Sequence, residues 1–221
     1  MIDAALLVIA KAPLAGRVKT RLCPPCTPTQ AAAIAEAALR DTLAAAAATP
    51  VKRRVVVLDG DPPSWLPDGF ELETQRGEGL AERLAAAFEP CGGPAFLVAM
   101  DTPQVTPALL ADAVRRLTGG GTDAVLGPTP DGGYWGIGLR RPAPEVFAGV
   151  PMSSPGTLAA QTVRLAETGL CSQTLTTLED VDTIEDARRV AATAPTTRFA
   201  AALRESGHAA DSQEPVPEAA S

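Results

Sequence analysis

The sequence predicts an α/β fold built on a largely parallel sheet, and three observations predict it. Short apolar runs alternate with longer helical stretches along the chain, the pattern of strand–helix–strand units. The chain has 221 residues, 46% of them hydrophobic, which suits one domain with a sizeable core. The run Leu97-Val-Ala-Met-Asp101-Thr-Pro103 is apolar until it stops at a carboxylate, as a buried strand does when it delivers an acid to the edge of an open sheet.

Taken in order, Ala4 to Ala10 reads as the first strand and Lys11 to Cys26 as a loop. Thr27-Pro28-Thr29-Gln30 has the form of a capping box with proline at the first helical position, and the Ala-rich helix behind it runs to about Ala48. Arg54 to Asp59 is a second strand, Gly60 to Gly69 a proline-rich loop, and Phe70 to Thr74 a third strand at an edge. Glu78 to Phe88 is helical, with Leu80, Leu84 and Phe88 on one face. After the strand ending at Asp101, Thr106 caps a helix from Pro107 to Leu117 that three glycines stop. Asp123 to Gly127 and Tyr134 to Leu139 are strands around the turn Pro128 to Gly133. Gly136 and Gly138 mark places where backbone lies against a ligand or another element. A helix from Ser154-Pro155 to Thr168, a strand from Ser172 to Leu178 and a capping box at Thr183-Ile-Glu-Asp186 complete a domain over residues 1–194. Residues 195–205 read as a short helix, and 206–221 as a disordered tail lacking a core pattern.

Composition then removes whole chemistries. The single histidine, His208, lies in the polar tail, so Ser-His-Asp and Cys-His catalysis and His-rich metal sites are excluded. Cys23-Pro-Pro-Cys26 has the spacing of a redox pair, but the helix starts later, at Thr27, and neither Cys91 nor Cys171 has a second thiol beside it; reduced thiols are the better reading. A net charge of −7 with no basic run argues against a grip on nucleic acid. No stretch is long and apolar enough to span a bilayer, and Asp3 replaces any basic leader, so a cytoplasmic protein with small-molecule partners is expected.

Acid and cation chemistry remains, in four constellations. The loop after the first strand, from Ala10 through Lys11, Ala12, Pro13, Gly16, Arg17, Lys19 and Thr20 to Arg21, places four cations and a glycine where they could neutralise a diphosphate or triphosphate; otherwise it is a solvated basic loop. It is neither a Walker A loop nor a dinucleotide fingerprint, because the required glycine spacing is missing. Gln75-Arg-Gly77-Glu-Gly-Leu-Ala-Glu-Arg83 joins a strand to a helix through two glycines, either to approach a phosphate or simply as a loop end. Asp131-Gly132-Gly133-Tyr134-Trp135 gathers an acid, a flexible turn and two aromatics, a platform for a sugar or small acceptor if it is not a hairpin with packed rings. Glu179-Asp-Val-Asp182-Thr-Ile-Glu-Asp186 crowds acids at a helix start. Glu185 and Asp186 suit capping there, and Asp182 is left as the candidate ligand. Asp101 is a metal ligand or a strand-end cap.

These residues carry a resemblance. From about Leu6 to Arg189 the chain resembles the DUF2064 family of glycosyltransferase-A-like proteins, sugar-nucleotide-dependent transferases by expectation. The shared motifs are Lys11-Ala-Pro, Gly16-Arg-Val-Lys-Thr-Arg-Leu22, Gln75 with Gly77 and Glu82-Arg83, Asp101-Thr-Pro103, Asp131-Gly-Gly-Tyr134 and Asp180-Val-Asp-Thr183. The wider superfamily includes molybdopterin and phospholactate guanylyltransferases, whose C-terminal acidic element is similar to Asp182 to Asp186. The resemblance implies a three-layer α/β/α sandwich with a mostly parallel mixed sheet, the GT-A or nucleotide-diphospho-sugar transferase type, and a nucleotide in its N-terminal half. Two places depart from the family: Met152-Ser-Ser-Pro155 stands where members have Trp-Ser-Thr-Pro, and Glu78 to Leu84 varies the expected Asp-Leu-Gly-Glu-Arg-Met. The acceptor half should therefore differ more than the nucleotide half.

The expected chemistry is metal-assisted transfer. Mg²⁺ or Mn²⁺ held by Asp101 and Asp182 would bridge the phosphates, with Lys11, Arg17, Lys19 and Arg21 offsetting the charge on the leaving group. A sugar nucleotide would make Asp131 the base or a sugar ligand. A nucleoside triphosphate would instead give in-line attack and pyrophosphate release.

Overall fold

The computed structural model describes residues 1–209. Seven strands form one mixed sheet: β1 (Ile2–Lys11), β2 (Val51–Asp59), β3 (Glu71–Thr74), β4 (Ala95–Ala99), β5 (Ala124–Pro128), β6 (Tyr134–Leu139) and β7 (Ser172–Thr174). Their order across the sheet is β3-β2-β1-β4-β6-β5-β7. β1 pairs in parallel with both β2 and β4, Val8 lying opposite Val56 on one side and Val98 on the other. β6 alone runs antiparallel to its neighbours β4 and β5. The strand order reverses between β1 and β4, where successive crossovers leave in opposite directions and open a crevice at the strand ends.

The helices are α1 (Pro28–Ala48), α2 (Leu80–Phe88), α3 (Pro107–Thr118), α4 (Thr157–Glu167), α5 (Ile184–Thr193) and α6 (Arg198–Glu205). Because side chains alternate along a strand, Leu6 and Val8 of β1 face a core with Leu39 and Leu43 of α1 and Leu110 and Val114 of α3. Ala5 and Leu7 face the opposite core, with Leu84 and Phe88 of α2 and Leu165 of α4. The sheet is thus covered on both faces, and the three-layer α/β/α architecture is realised. A satellite cluster joins Leu22 and Cys26 of the first loop to Ile34 of α1, Val181, Ile184 of α5 and Phe199 and Leu203 of α6.

Both expected capping boxes form, Thr27 with Gln30 and Thr183 with Asp186, and Thr106 accepts from the Leu109 N–H. Differences lie at element ends. β2 begins at Val51, where pairing with Ile2 outweighs the polar Lys52 and Arg53. β7 stops at Thr174, four residues short of the expectation, because the chain leaves the sheet edge and crosses to the end of β4, where the Val181 N–H donates to the Asp101 carbonyl at 3.1 Å. α4 starts at Thr157, since Ser154 to Thr157 is taken up by a turn in which the Thr157 hydroxyl accepts from the Ser154 N–H. α6 is fixed by the buried Asp41 carboxylate, which accepts from the Phe199 N–H at 2.8 Å. Of the expected tail, Ser206 and His208 accept bonds from Gln30 and Arg188, and residues 210–221 lie outside those described. No described helix is long and apolar enough to cross a membrane.

Candidate active site

At the switch point, the ends of β1 and β4 form one wall of a cavity of about 590 Å³ through Ala10, Lys11, Met100 and Asp101, a volume in the usual range for small-ligand sites. The first loop supplies Arg17, Lys19, Thr20 and Arg21, the β3–α2 junction supplies Gln75 and Arg83, and the C-terminal crossing segment supplies Asp182. The basic loop and the acids thus meet, although more than 160 residues separate Lys19 from Asp182.

The acids form a cluster. One carboxylate oxygen each from Asp101, Asp180 and Asp182 lie within 4.8 Å of one another. Asp180, part of a shared motif but not among the expected metal ligands, is the third member. The available signal was its spacing: in an extended segment, residues two apart face the same side, so Asp180 and Asp182 arrive together while Val181 points into the satellite core. Burial, together with the charges of Asp101, Asp131 and Asp182, pushes the Asp180 carboxyl up to about 7. Three hard oxygen donors whose mutual repulsion is this large suit a divalent cation such as Mg²⁺ or Mn²⁺.

Lys19 counters part of that charge. Its ammonium donates to Asp101 Oδ2 at 2.7 Å and to the Val181 carbonyl, and lies 3.5 Å from Asp182 Oδ1. Burial works against its charge, but Asp101 first and then Asp182 and Asp180 more than offset this, so its pKa is raised. Arg21 pairs with Asp182 at 2.8 Å. Lys11 and Arg17 are exposed, make no ion pair among the described residues and line the cavity.

The remaining expected residues of the nucleotide half fall into three groups. Gln75 donates from Nε2 to the Ala10 and Val57 carbonyls and accepts from Arg83, which also pairs with Asp59 at 3.1 Å; together they brace the ends of β1 and β2. Gly77, at φ 117°, lets its loop lie against α2, where a Cβ would meet Glu82 Cβ at 2.6 Å; packing explains this glycine. Ala12, Pro13 and Gly16 shape the turn that carries Arg17, whose N–H donates to the Leu14 carbonyl, and do not line the cavity.

The aromatic platform requires correction. Trp135 is 1% exposed, packs edge-to-face on Phe96 at 5.6 Å and donates from its indole to the Thr176 carbonyl. It is a core residue because Gly127 leaves room for its ring. Tyr134 is largely enclosed, its hydroxyl donating to Gln161 at 3.3 Å, and burial raises its pKa. Asp131 closes its own turn, accepting from Thr129 Oγ1 and from the Gly133 N–H at 2.9 Å. Gly132 lies against the Pro155 carbonyl, tying this turn to the loop before α4. From that loop Ser153, with a left-handed φ of 55°, reaches the cavity wall instead. The gaps expected beside Gly136 and Gly138 hold other elements: the Phe96 ring of β4 at both, joined at Gly138 by Leu117 of α3 and Val125 of β5. Burial raises the Cys26 thiol, the reverse of what a redox nucleophile needs.

Among known proteins, none of the curated ones matches this chain. A crystal structure from Desulfovibrio desulfuricans G20, provisionally described as a nucleotide-diphospho-sugar transferase, is similar over 94% of this chain and 96% of its own, at 26% identity and a TM-score of 0.83. CMP:2-keto-3-deoxy-manno-octonic acid synthetase complexed with CTP shares the fold at 13% identity and a TM-score of 0.59, over 87% of this chain and 98% of its own. Rv0371c from Mycobacterium tuberculosis H37Rv, in complex with manganese, shares it at 20% identity and a TM-score of 0.51, over 86% and 98%. The family described as "Uncharacterized protein conserved in bacteria (DUF2064)" matches residues 32–154. With that match extending over more than half its length, on the fold of the nucleotide-diphospho-sugar transferases, the chain belongs to the DUF2064 family.

Proposed function

We propose that this protein is a metal-dependent glycosyltransferase that takes a sugar from a sugar nucleotide and gives it to a small-molecule acceptor. The observation that carries the reading is the cavity at the switch point, where Asp101 and Asp182 of the acid triad lie against a cation-rich loop. The D. desulfuricans structure and the manganese-bound fold neighbour support it. Asp101, Asp180 and Asp182 would hold Mg²⁺ or Mn²⁺, which when bound supplies Lewis-acid stabilisation of a leaving diphosphate. Lys11 and Arg17, exposed on the cavity wall, would bind the phosphates and offset the negative charge that develops on them. Gln75 and Arg83 keep the strand ends in register beneath the nucleotide. On this reading Asp131, whose charge acts on Asp180 and whose turn lies against Pro155, would serve the acceptor.

One observation favours a second reading, nucleotidylyl transfer to a phosphorylated metabolite. Asp131 is held by its own turn, and a phosphorylated acceptor arrives as an anion and needs no protein base. The CTP-bound fold neighbour points the same way. Incubation with Mn²⁺ and a panel of sugar nucleotides and nucleoside triphosphates separates the two: nucleoside diphosphate is the expected product, pyrophosphate would give the second reading, and release of neither would overturn both. Asp101→Asn should lower kcat about 10²–10³-fold, the scale of losing one major electrostatic contact to the transition state. A folded variant with the unaltered rate would remove Asp101 from the mechanism.

A further inference from the structure

Lys19 differs from the other cations of its loop. Its side chain is only 11% exposed, whereas that of Arg21 is 73% exposed. Its backbone takes a left-handed φ of 46°, which a residue with a Cβ adopts only against steric resistance, and this conformation turns the side chain toward the acids. There the ammonium has Asp101 Oδ2 at 2.7 Å, the Val181 carbonyl and Asp182 Oδ1 at 3.5 Å as partners. The carboxylate oxygens of the triad lie within 4.8 Å of one another. A divalent cation binds such oxygens at roughly 2.0–2.6 Å, so it would have to share their small space with the ammonium. Two like charges that close repel strongly.

We propose that Lys19 is an exchangeable counter-ion: it holds the acid cluster together in the metal-free protein, and a divalent cation enters by displacing it. A lysine suits this role because its compact charge sits on a flexible stem that can swing without breaking a bidentate fork. Once displaced, the ammonium faces a cavity wall on which Lys11, Arg17 and Arg21 outnumber the exposed Glu78, so a further anion is needed to receive it. The phosphates of the nucleotide are that anion, so metal and phosphate should bind cooperatively, each strengthening the other by the same factor. This inference rests on the metal-dependent reading above, but its test needs neither nucleotide nor turnover.

The test is Mn²⁺ binding to the full chain, followed by the paramagnetic signal of free Mn²⁺. Lys19→Met should bind Mn²⁺ more tightly than the unaltered protein, by about fivefold or more. Equal or weaker binding would overturn the proposal. Because the variant leaves three carboxylates facing one another and could fail to fold, a second measurement uses the unaltered protein: acetylation of Lys19 followed by mass spectrometry. Lys19 should be protected without metal and become reactive when Mn²⁺ is added, the reverse of ordinary ligand protection. Protection that is unchanged or increased by Mn²⁺ would overturn the proposal, as would absence of Mn²⁺ binding. Unchanged affinity or unchanged protection would leave the transferase reading intact, whereas absence of Mn²⁺ binding would count against its metal dependence too, and the nucleotide panel tests transfer separately.

Discussion

Asp180 shows how one side chain records the chemistry of its surroundings. Its carboxyl is raised to about 7 by burial and by Asp101, Asp131 and Asp182, against about 3.9 for an aspartate in an unfolded chain. Between those values the folded protein holds a proton that the unfolded chain has lost. The stability that Asp180 contributes is therefore fully present below about pH 4 and is lost as pH rises through about 7. In metal-free protein, the difference in melting temperature between Asp180→Asn and the unaltered chain should accordingly grow in favour of the variant across that window. Parallel curves would show that the three acids do not repel one another in solution. The sequence placed Asp180 in a shared motif and paired Asp101 with Asp182 around a metal, but it did not mark Asp180 as a third ligand, because a repulsion depends on distances that the order of residues does not give.

Among the elements, β6 shows most plainly what pattern can and cannot tell. Alternate glycines announced a close approach, and the approach exists, but its occupant is the Phe96 ring from β4, with Trp135 edge-to-face on that ring. A Cβ at Gly136 would lie 2.4 Å from Phe96 Cζ and 3.0 Å from the Leu97 carbonyl. Gly136→Ala should thus destabilise the fold by about 1–3 kcal/mol, as overpacking does, read from urea unfolding. Nucleotide binding, measured by calorimetry, should be preserved in the folded variant; its loss would place this glycine against the ligand. Helix starts were legible for the opposite reason. Thr27, Thr106 and Thr183 bond to residues three positions on, and such local contacts are written in the sequence itself.

At the scale of the molecule, the satellite cluster links stability to the site. Val181, between two acids of the triad, packs with Leu22 from the first loop and with Phe199 of α6. Phe199→Ala should cost about 3–5 kcal/mol, the usual range for a buried phenylalanine, and should also weaken Mn²⁺ binding by letting the acid segment move. Leu165→Ala, in the core on the opposite face of the sheet, should cost about 2–5 kcal/mol with Mn²⁺ affinity retained. Equal effects of the two variants on Mn²⁺ binding would show that the cluster does not hold the site. By itself the sequence determined the fold class, most elements, the capping boxes and which segments carry the clustered acids and cations, because periodicity, caps and charge are local properties. Only the tertiary structure decided that Asp180 completes the triad, that Lys19 turns into it and that Trp135 belongs to the core. Each of those facts depends on distances between segments far apart in the chain, and those distances are set by packing the whole sheet between its layers.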